Sequence, residues 1–169
     1  MMVKKNGSSE IIDSKTRIGH VHLKVSDLER AVNFYRGVLG FEVTAEVPGA
    51  AFLSAGGYHH HIGLNTWESK GAEQPPRRST GLYHFAILVP NRKGLAKVLK
   101  RLQERGWPIE GTADHGVSEA IYLKDPDGNG IEVYADRPRK KWPKTVKGEI
   151  EMYTRPLDLE SLMRAVGKK

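Results

Sequence analysis

Two histidines and one glutamate are the residues of this sequence most suited to metal chemistry: His20, His84 and Glu132. Each histidine stands near the start of a run in which aliphatic and polar side chains alternate, and Glu132 stands between Ile131 and Val133. Because successive side chains of a strand point to opposite faces, these three point away from the aliphatic face of their strands. An inward carboxylate is costly unless it is paired or binds a cation. Two imidazoles and one carboxylate leave positions on a metal ion open, which suits non-haem Fe(II) and equally Mn(II).

The two histidines occupy corresponding places in an internal duplication. Residues 18–67 predict the order strand, helix, strand, strand, strand, and residues 81–136 predict the same order after a polar linker at 68–80. His20 and His84 both fall in the first strand of their unit. His22 faces the same way as His20, but the correspondence with His84 favours His20. The sequence therefore predicts an α+β fold of two tandem β-α-β-β-β modules, which form a curved, half-open mixed β-barrel around a metal site.

The elements that must position these residues follow from periodicity and from residues typical of helix ends. Ser26 and Glu29 predict a capping box, with Ser26 as the N-cap of a helix that ends at Gly40. Asn91 predicts the start of the second helix, and Gly106 its end. Strands are predicted at 18–25, 41–47, 51–54, 58–66, 82–89, 107–112, 120–123 and 131–135.

A tight turn precedes the strand that carries Glu132. The six residues from Asp125 to Gly130 include one proline and two glycines, which supply the fixed and the positive φ values of a reversal. The turn folds the last strand back on the one before it and places Glu132 in the middle of that strand.

Composition limits the classes of function. The chain has 169 residues, no cysteine and a formal net charge of +7, so only His, Asp, Glu or backbone oxygens can hold a metal. No apolar run is long enough to cross a bilayer and no leader is visible, which favours a cytoplasmic protein with no membrane partner. The basic residues do not alternate with aromatic ones, so we expect a solvated basic surface and no nucleic-acid partner.

The two ends of the chain lie outside the predicted modules. Residues 1–17 are polar and lack periodicity, which predicts a flexible tail. Residues 137–169 form a basic extension with a short helix, for which Asp158 is a possible cap. The extension is expected to cover an edge of the domain or to pack against a second subunit, and we expect a homodimer.

The paired modules resemble the vicinal oxygen chelate superfamily, which includes glyoxalase I, fosfomycin and bleomycin resistance proteins and type I extradiol ring-cleaving dioxygenases. The resemblance covers residues 18–136. Within it, one stretch is similar to the extradiol dioxygenase signature, through His115, Ile121, Tyr122, Asp125, Pro126, Gly128 and Glu132. One position departs from that signature, since Ala113 stands where the family usually has Gly, Asn, Thr, Ile or Val.

The resemblance implies an Fe(II)-dependent extradiol dioxygenase, similar to catechol 2,3-dioxygenases, that acts in aromatic hydrocarbon catabolism. Its partners would be a catechol-like substrate and O2. The iron ligands of the family fall on His20, His84 and Glu132. The tyrosine that hydrogen-bonds the substrate falls on Tyr122, and a histidine near the substrate falls on His115.

The resemblance also implies a histidine that acts as acid and base beside O2. It belongs to the last strand of the first module, where His59, His60 and His61 are consecutive. The register points to His60, and strand alternation keeps His61 open as the alternative.

Two other functions are weighed against the dioxygenase. A non-oxidative metal-dependent lyase or isomerase of the glyoxalase type, or a small-molecule resistance protein, would share the fold. Four-ligand members take a further carboxylate from the last strand of the first module, and residues 58–66 contain no Asp or Glu. A module that only sequesters a small aromatic molecule would not need the three ligands.

Overall fold

The computed structural model describes residues 11–76 and 78–167. The first ten residues of the predicted N-terminal tail lie outside this range, and residues 11–17 are exposed, with a single turn. Four strands of the first half form one sheet: β1 Val21–Lys24, β2 Glu42–Val47, β3 Ala50–Ser54 and β4 Ile62–Asn65. Their order is β1-β4-β3-β2, in which β1 pairs parallel with β4 and the other pairs are antiparallel.

The second half repeats this sheet. Its strands are β5 Phe85–Leu88, β6 Ile109–Asp114, β7 Ser118–Lys124 and β8 Gly130–Asp136, in the order β5-β8-β7-β6. The α+β class and the duplicated β-α-β-β-β order are confirmed. In the described part of the chain the two sheets are not closed into one barrel, so β1 and β5 lie at sheet edges.

The first helix begins one residue later than predicted. α1, Leu28–Asn33, has Asp27 as its N-cap, whose side chain accepts a hydrogen bond from the Arg30 N–H. The predicted N-cap, Ser26, is wrong because its hydroxyl and N–H both donate to Asp127 instead. The helix continues as a π-helical segment, Phe34–Leu39, and ends at Gly40, whose φ of 89° is readily adopted only by glycine.

The second helix and the C-terminal helix have the predicted caps. α2, Arg92–Glu104, begins at Asn91, whose side chain accepts from the Gly94 N–H. α3, Leu159–Met163, begins at Asp158 in the same way. None of the helices in the described ranges is long and apolar enough to cross a membrane.

One hydrophobic core joins both modules with the C-terminal helix. It contains side chains of α1, of the π-helical segment that follows it, of α2 and of strands in both sheets. It also contains side chains near α3, where Leu162 is fully buried. The aliphatic faces of both sheets therefore pack against helices, which leaves their opposite faces for the polar residues of the site.

The turn between β7 and β8 connects the two modules. Asp125 is buried and accepts hydrogen bonds from the N–H groups of Asp127 and Asn129 and from the Tyr35 hydroxyl, at 2.9 Å. Burial, and then the charge of Asp125, raise the pKa of Tyr35 well above its usual range, so the hydroxyl remains a donor. Asp127 also pairs with Arg30 at 2.8 Å. The turn that precedes Glu132 is thus fixed to the first helix.

Candidate metal centre

His84 and Glu132 meet on the open face of the second sheet. His84 lies just before β5, and the parallel pairing of β5 with β8 sets it beside Gly130. A Cβ at Gly130 would lie 2.2 Å from the Tyr83 carbonyl oxygen, so only glycine permits this close approach. The His84 Nε2 is 3.1 Å from the Glu132 Oε2, and the two side chains are 29% and 15% exposed.

Tyr122 extends this pair along the sheet. β7 pairs with β8 so that Tyr122 lies directly opposite Glu132, and its hydroxyl donates to the Glu132 Oε1 at 3.0 Å. Burial, followed by the negative charge of Glu132 and the hydrogen bond to it, raises the pKa of Tyr122 to about 12. The phenol therefore keeps its proton at neutral pH and can donate a hydrogen bond.

His115 completes a row of four side chains. Its Nε2 lies 2.8 Å from the Tyr122 hydroxyl, and its Nδ1 lies 3.0 Å from the backbone carbonyl of Tyr153. The row runs from His84 through Glu132 and Tyr122 to His115. All four had been singled out in the sequence, and the fold of the second module brings them together.

A second group of histidines lies in the first module. The rings of His20 and His60 are 4.4 Å apart between centroids. His20 is exposed just before β1, and His60 lies in the bend before β4, because that strand begins four residues later than predicted. Partial desolvation, and then the positive charge of His20 and its neighbours, lower the pKa of His60.

The other histidines of the first module, His22, His59 and His61, have contacts of their own. The His61 Nδ1 lies 3.0 Å from the Ser54 hydroxyl, and His59 contacts His60 through Nδ1 atoms 2.7 Å apart. His22 lies against Phe52 and covers Gly63. Of the three consecutive histidines, His60 has its ring beside His20.

The register of the two sheets identifies the position that corresponds to Glu132 in the first module. Val21 pairs with Ile62 and His22 with Gly63, just as Phe85 pairs with Ile131 and Ala86 with Glu132. Gly63 thus occupies the place of the glutamate. The first module offers histidine nitrogens and no carboxylate at this position, which distinguishes it from a four-ligand arrangement.

The three predicted ligands are divided between the two groups. Among the described residues, no three His, Asp or Glu side chains come close enough together to hold a metal ion. His84 and Glu132 fit such an ion, because two ligand atoms at right angles on bonds of about 2.1 Å are about 3.0 Å apart. That separation matches the 3.1 Å between their ligand atoms. His20 as the third ligand stays a prediction.

The sequence did not predict the roles of two residues at the site, Tyr153 and Gly130. Tyr153 is 38 residues from His115 and contacts it through its backbone carbonyl, which every residue type has. Gly130 is visible as a turn glycine, but its close approach to the chain before His84 depends on the strand pairing.

The fold defines a domain of two paired β-α-β-β-β modules, and comparison with known proteins gives its family. The family model of the glyoxalase/bleomycin resistance protein/dioxygenase superfamily matches residues 17–133. The chain belongs to this superfamily.

Within the superfamily, the chain is similar to two dioxygenases. The chain is 47% identical over 157 residues to catechol-2,3-dioxygenase of Bacillus subtilis, which covers 92% of this chain and 54% of that protein. It is 30% identical over 120 residues to biphenyl-2,3-diol 1,2-dioxygenase 3 of Rhodococcus globerulus, which covers 71% and 63%. The chain thus spans between half and two thirds of the length of these relatives. The crystal structure of a glyoxalase/dioxygenase from Nostoc punctiforme has a TM-score of 0.62 at 20% identity, covering 79% of this chain and 99% of that one, and supports the fold alone.

Proposed function

We propose that this protein is an extradiol dioxygenase that cleaves a catechol-like ring with O2. It would use Fe(II), or alternatively Mn(II), bound by His20, His84 and Glu132. One observation carries the proposal: His84, Glu132, Tyr122 and His115 form a continuous row of contacts of 2.8–3.1 Å on an open sheet face. The two dioxygenase relatives are named for catechol and biphenyl-2,3-diol, which supports an aromatic diol as the class of substrate.

The side chains of the row have separate roles in this proposal. His84 and Glu132 offer a nitrogen and an oxygen to the metal. The Tyr122 hydroxyl stays protonated because of its raised pKa, so it can donate to a substrate oxygen on which negative charge develops. His115 contacts that hydroxyl at 2.8 Å and can hold it in position beside the substrate.

His60 is proposed as the acid–base residue. Its ring lies beside His20, and the lowered pKa favours the neutral imidazole, which can accept a proton at neutral pH. When bound, the metal supplies the redox chemistry that lets O2 react with the diol.

The separation of the two groups bears on the assembly. His20 and His60 lie just before β1 and β4 of the first sheet, while the row lies on the second sheet. We propose that the complete site forms when these two groups meet, either by closure of the two sheets or across a homodimer.

Anaerobic reconstitution tests the function. The apoprotein is loaded with Fe(II) or Mn(II), mixed with catechol or 2,3-dihydroxybiphenyl, and exposed to air while O2 consumption and visible absorbance are recorded. We expect O2 uptake together with a yellow ring-opened product. His84→Ala removes a ligand and should lower kcat/KM by at least 100-fold, since about 10²-fold is already typical of lost positioning.

His22→Ala is the matched control for this variant. His22 is an exposed histidine on β1 that packs on Phe52 and is not among the proposed ligands. It should retain turnover within a few-fold of the wild type. Tight metal binding without O2 uptake for either diol would refute the dioxygenase and indicate a non-oxidative member of the superfamily.

A further inference from the structure

The C-terminal extension reaches the candidate site. Its residues 153–155 lie along β6, where Asp114 and Arg155 exchange two backbone hydrogen bonds of 2.9 and 3.0 Å. The pairing adds a short antiparallel bridge to the edge of the second sheet, directly before His115. The extension therefore contacts the sheet at the residue that precedes a proposed catalytic histidine.

A glycine and a partly buried group of ion pairs keep the extension in this place. A Cβ at Gly116 would lie 2.7 Å from the Pro143 Cγ and 2.8 Å from the Tyr153 Cε1, and its φ is 78°. Arg137 pairs with Asp114 at 2.8 Å and with the buried Glu119 at 3.0 Å. The close packing at Gly116 and the ion pairs of Arg137 both hold the extension against the β6–β7 turn. Together they fix the position of Tyr153.

The Tyr153 carbonyl determines which nitrogen of His115 carries the proton. A carbonyl oxygen can only accept, so at 3.0 Å from Nδ1 it requires an Nδ1–H donor. The Thr154 hydroxyl, 3.3 Å from the same nitrogen, is compatible with this tautomer. The Nε2 is then unprotonated and accepts from the Tyr122 hydroxyl at 2.8 Å, so the single phenolic proton is shared between this nitrogen and the Glu132 Oε1 at 3.0 Å.

We propose that the segment Tyr153–Arg155 positions His115 as the Nδ1–H tautomer, with its Nε2 directed at the Tyr122 hydroxyl. In this state Tyr122 keeps its proton and His115 holds the phenol oxygen in place through Nε2. The catalytic value of this arrangement rests on the proposed dioxygenase, but the tautomer itself does not.

The tautomer is measured directly by long-range ¹H–¹⁵N NMR of the full-length protein without metal or substrate. The His115 signals are assigned by their loss in His115→Ala. We expect one form, with protonated Nδ1 and unprotonated Nε2. An Nε2–H tautomer, a doubly protonated imidazolium, or a mixture of forms would overturn the proposal whatever reaction the protein catalyses.

Two variants at Arg155 test the role of the segment. Arg155→Pro removes the N–H that donates to the Asp114 carbonyl, whereas Arg155→Ala keeps the backbone and loses only the guanidinium that lies over Tyr153. We expect mixed tautomers in the proline variant and the single wild-type form in the alanine variant. If the proline variant keeps the single tautomer, the segment does not position His115.

The same pair of variants connects the tautomer to turnover. If ring cleavage is observed, Arg155→Pro should lower kcat by about 10- to 100-fold with little change in KM, the range found for residues that orient active groups. Equal kcat in the two variants, despite different tautomers, would exclude a catalytic contribution of the segment. Thermal unfolding of both variants shows whether loss of fold accounts for a change.

Discussion

Gly130→Ala is the most direct test of the way in which the fold brings His84 to Glu132. The added methyl carbon would lie 2.2 Å from the Tyr83 carbonyl oxygen and 3.1 Å from the His84 Cβ. The first distance is about 1 Å inside a close carbon–oxygen contact, which is about 3.3 Å. Because the obstacle is backbone, β8 and the chain before β5 must separate by a comparable distance.

This separation of β8 from the chain before β5 should lower both the free energy of unfolding and the turnover of the enzyme. Overpacking of this kind costs about 1–3 kcal/mol. For a chain of this size, each kcal/mol lowers Tm by about 2–4 °C, so we expect a fall of about 2–12 °C. A displacement of about 1 Å between His84 and Glu132 should also reduce turnover by about 10²-fold.

Gly111→Ala provides the matched control. Gly111 is also a strand glycine of the second sheet, but no atom lies within 4 Å of the position of an added Cβ. Calorimetry gives Tm, and titration with Fe(II) or Mn(II) gives metal affinity. We expect Gly111→Ala to leave both unchanged. If Gly130→Ala matches this control in Tm and in metal affinity, the close approach does not position the pair.

Two further substitutions test contacts that hold the frame of the site. Tyr35→Phe removes the buried hydrogen bond to Asp125 and should lower the free energy of unfolding by about 1.5–3 kcal/mol in urea. Tyr83→Phe, at a side chain that is 90% exposed, should change it by less than about 0.5 kcal/mol; equal values would show that the hydroxyl does not anchor the turn. Arg137→Met should cost about 1.5–3 kcal/mol because Glu119 is buried. Arg164→Met, in an exposed ion pair, should cost under about 1 kcal/mol, and a similar loss in both would contradict the reasoning.

Local patterns were sufficient for much of the fold. Alternation predicted all eight strands, although β1, β4 and β5 are shorter than expected. The ends of α2 were predictable because Asn91 and Gly106 act within their own turn of helix. Ser26 was misassigned because Asp27, next to it, is an equally good cap, and the choice depends on Asp127, 101 residues away.

In the candidate site too, contacts set by the strand pattern were predictable, whereas contacts between segments far apart in the sequence were not. The row from His84 to His115 was predictable because the β-α-β-β-β repeat and one signature fix which residues share a sheet face. The contact of Tyr153 with His115 was not, since it depends on how a segment without repeat pattern returns to the sheet. It could likewise not be predicted that His20 does not come together with His84 and Glu132 in the described structure, because alternation specifies the face of a strand and not the distance between sheets.

The anchoring of the turn before β8 to the first helix restricts how such a gene can evolve by exchange of its parts. Asp125 and Tyr35 are 90 residues apart and belong to different modules, yet both are buried and bonded to each other. A module transferred from a member of the superfamily that lacks the matching tyrosine or carboxylate would leave the remaining partner desolvated without a hydrogen bond. The two halves of the duplication are therefore expected to be inherited together, even where their surfaces diverge.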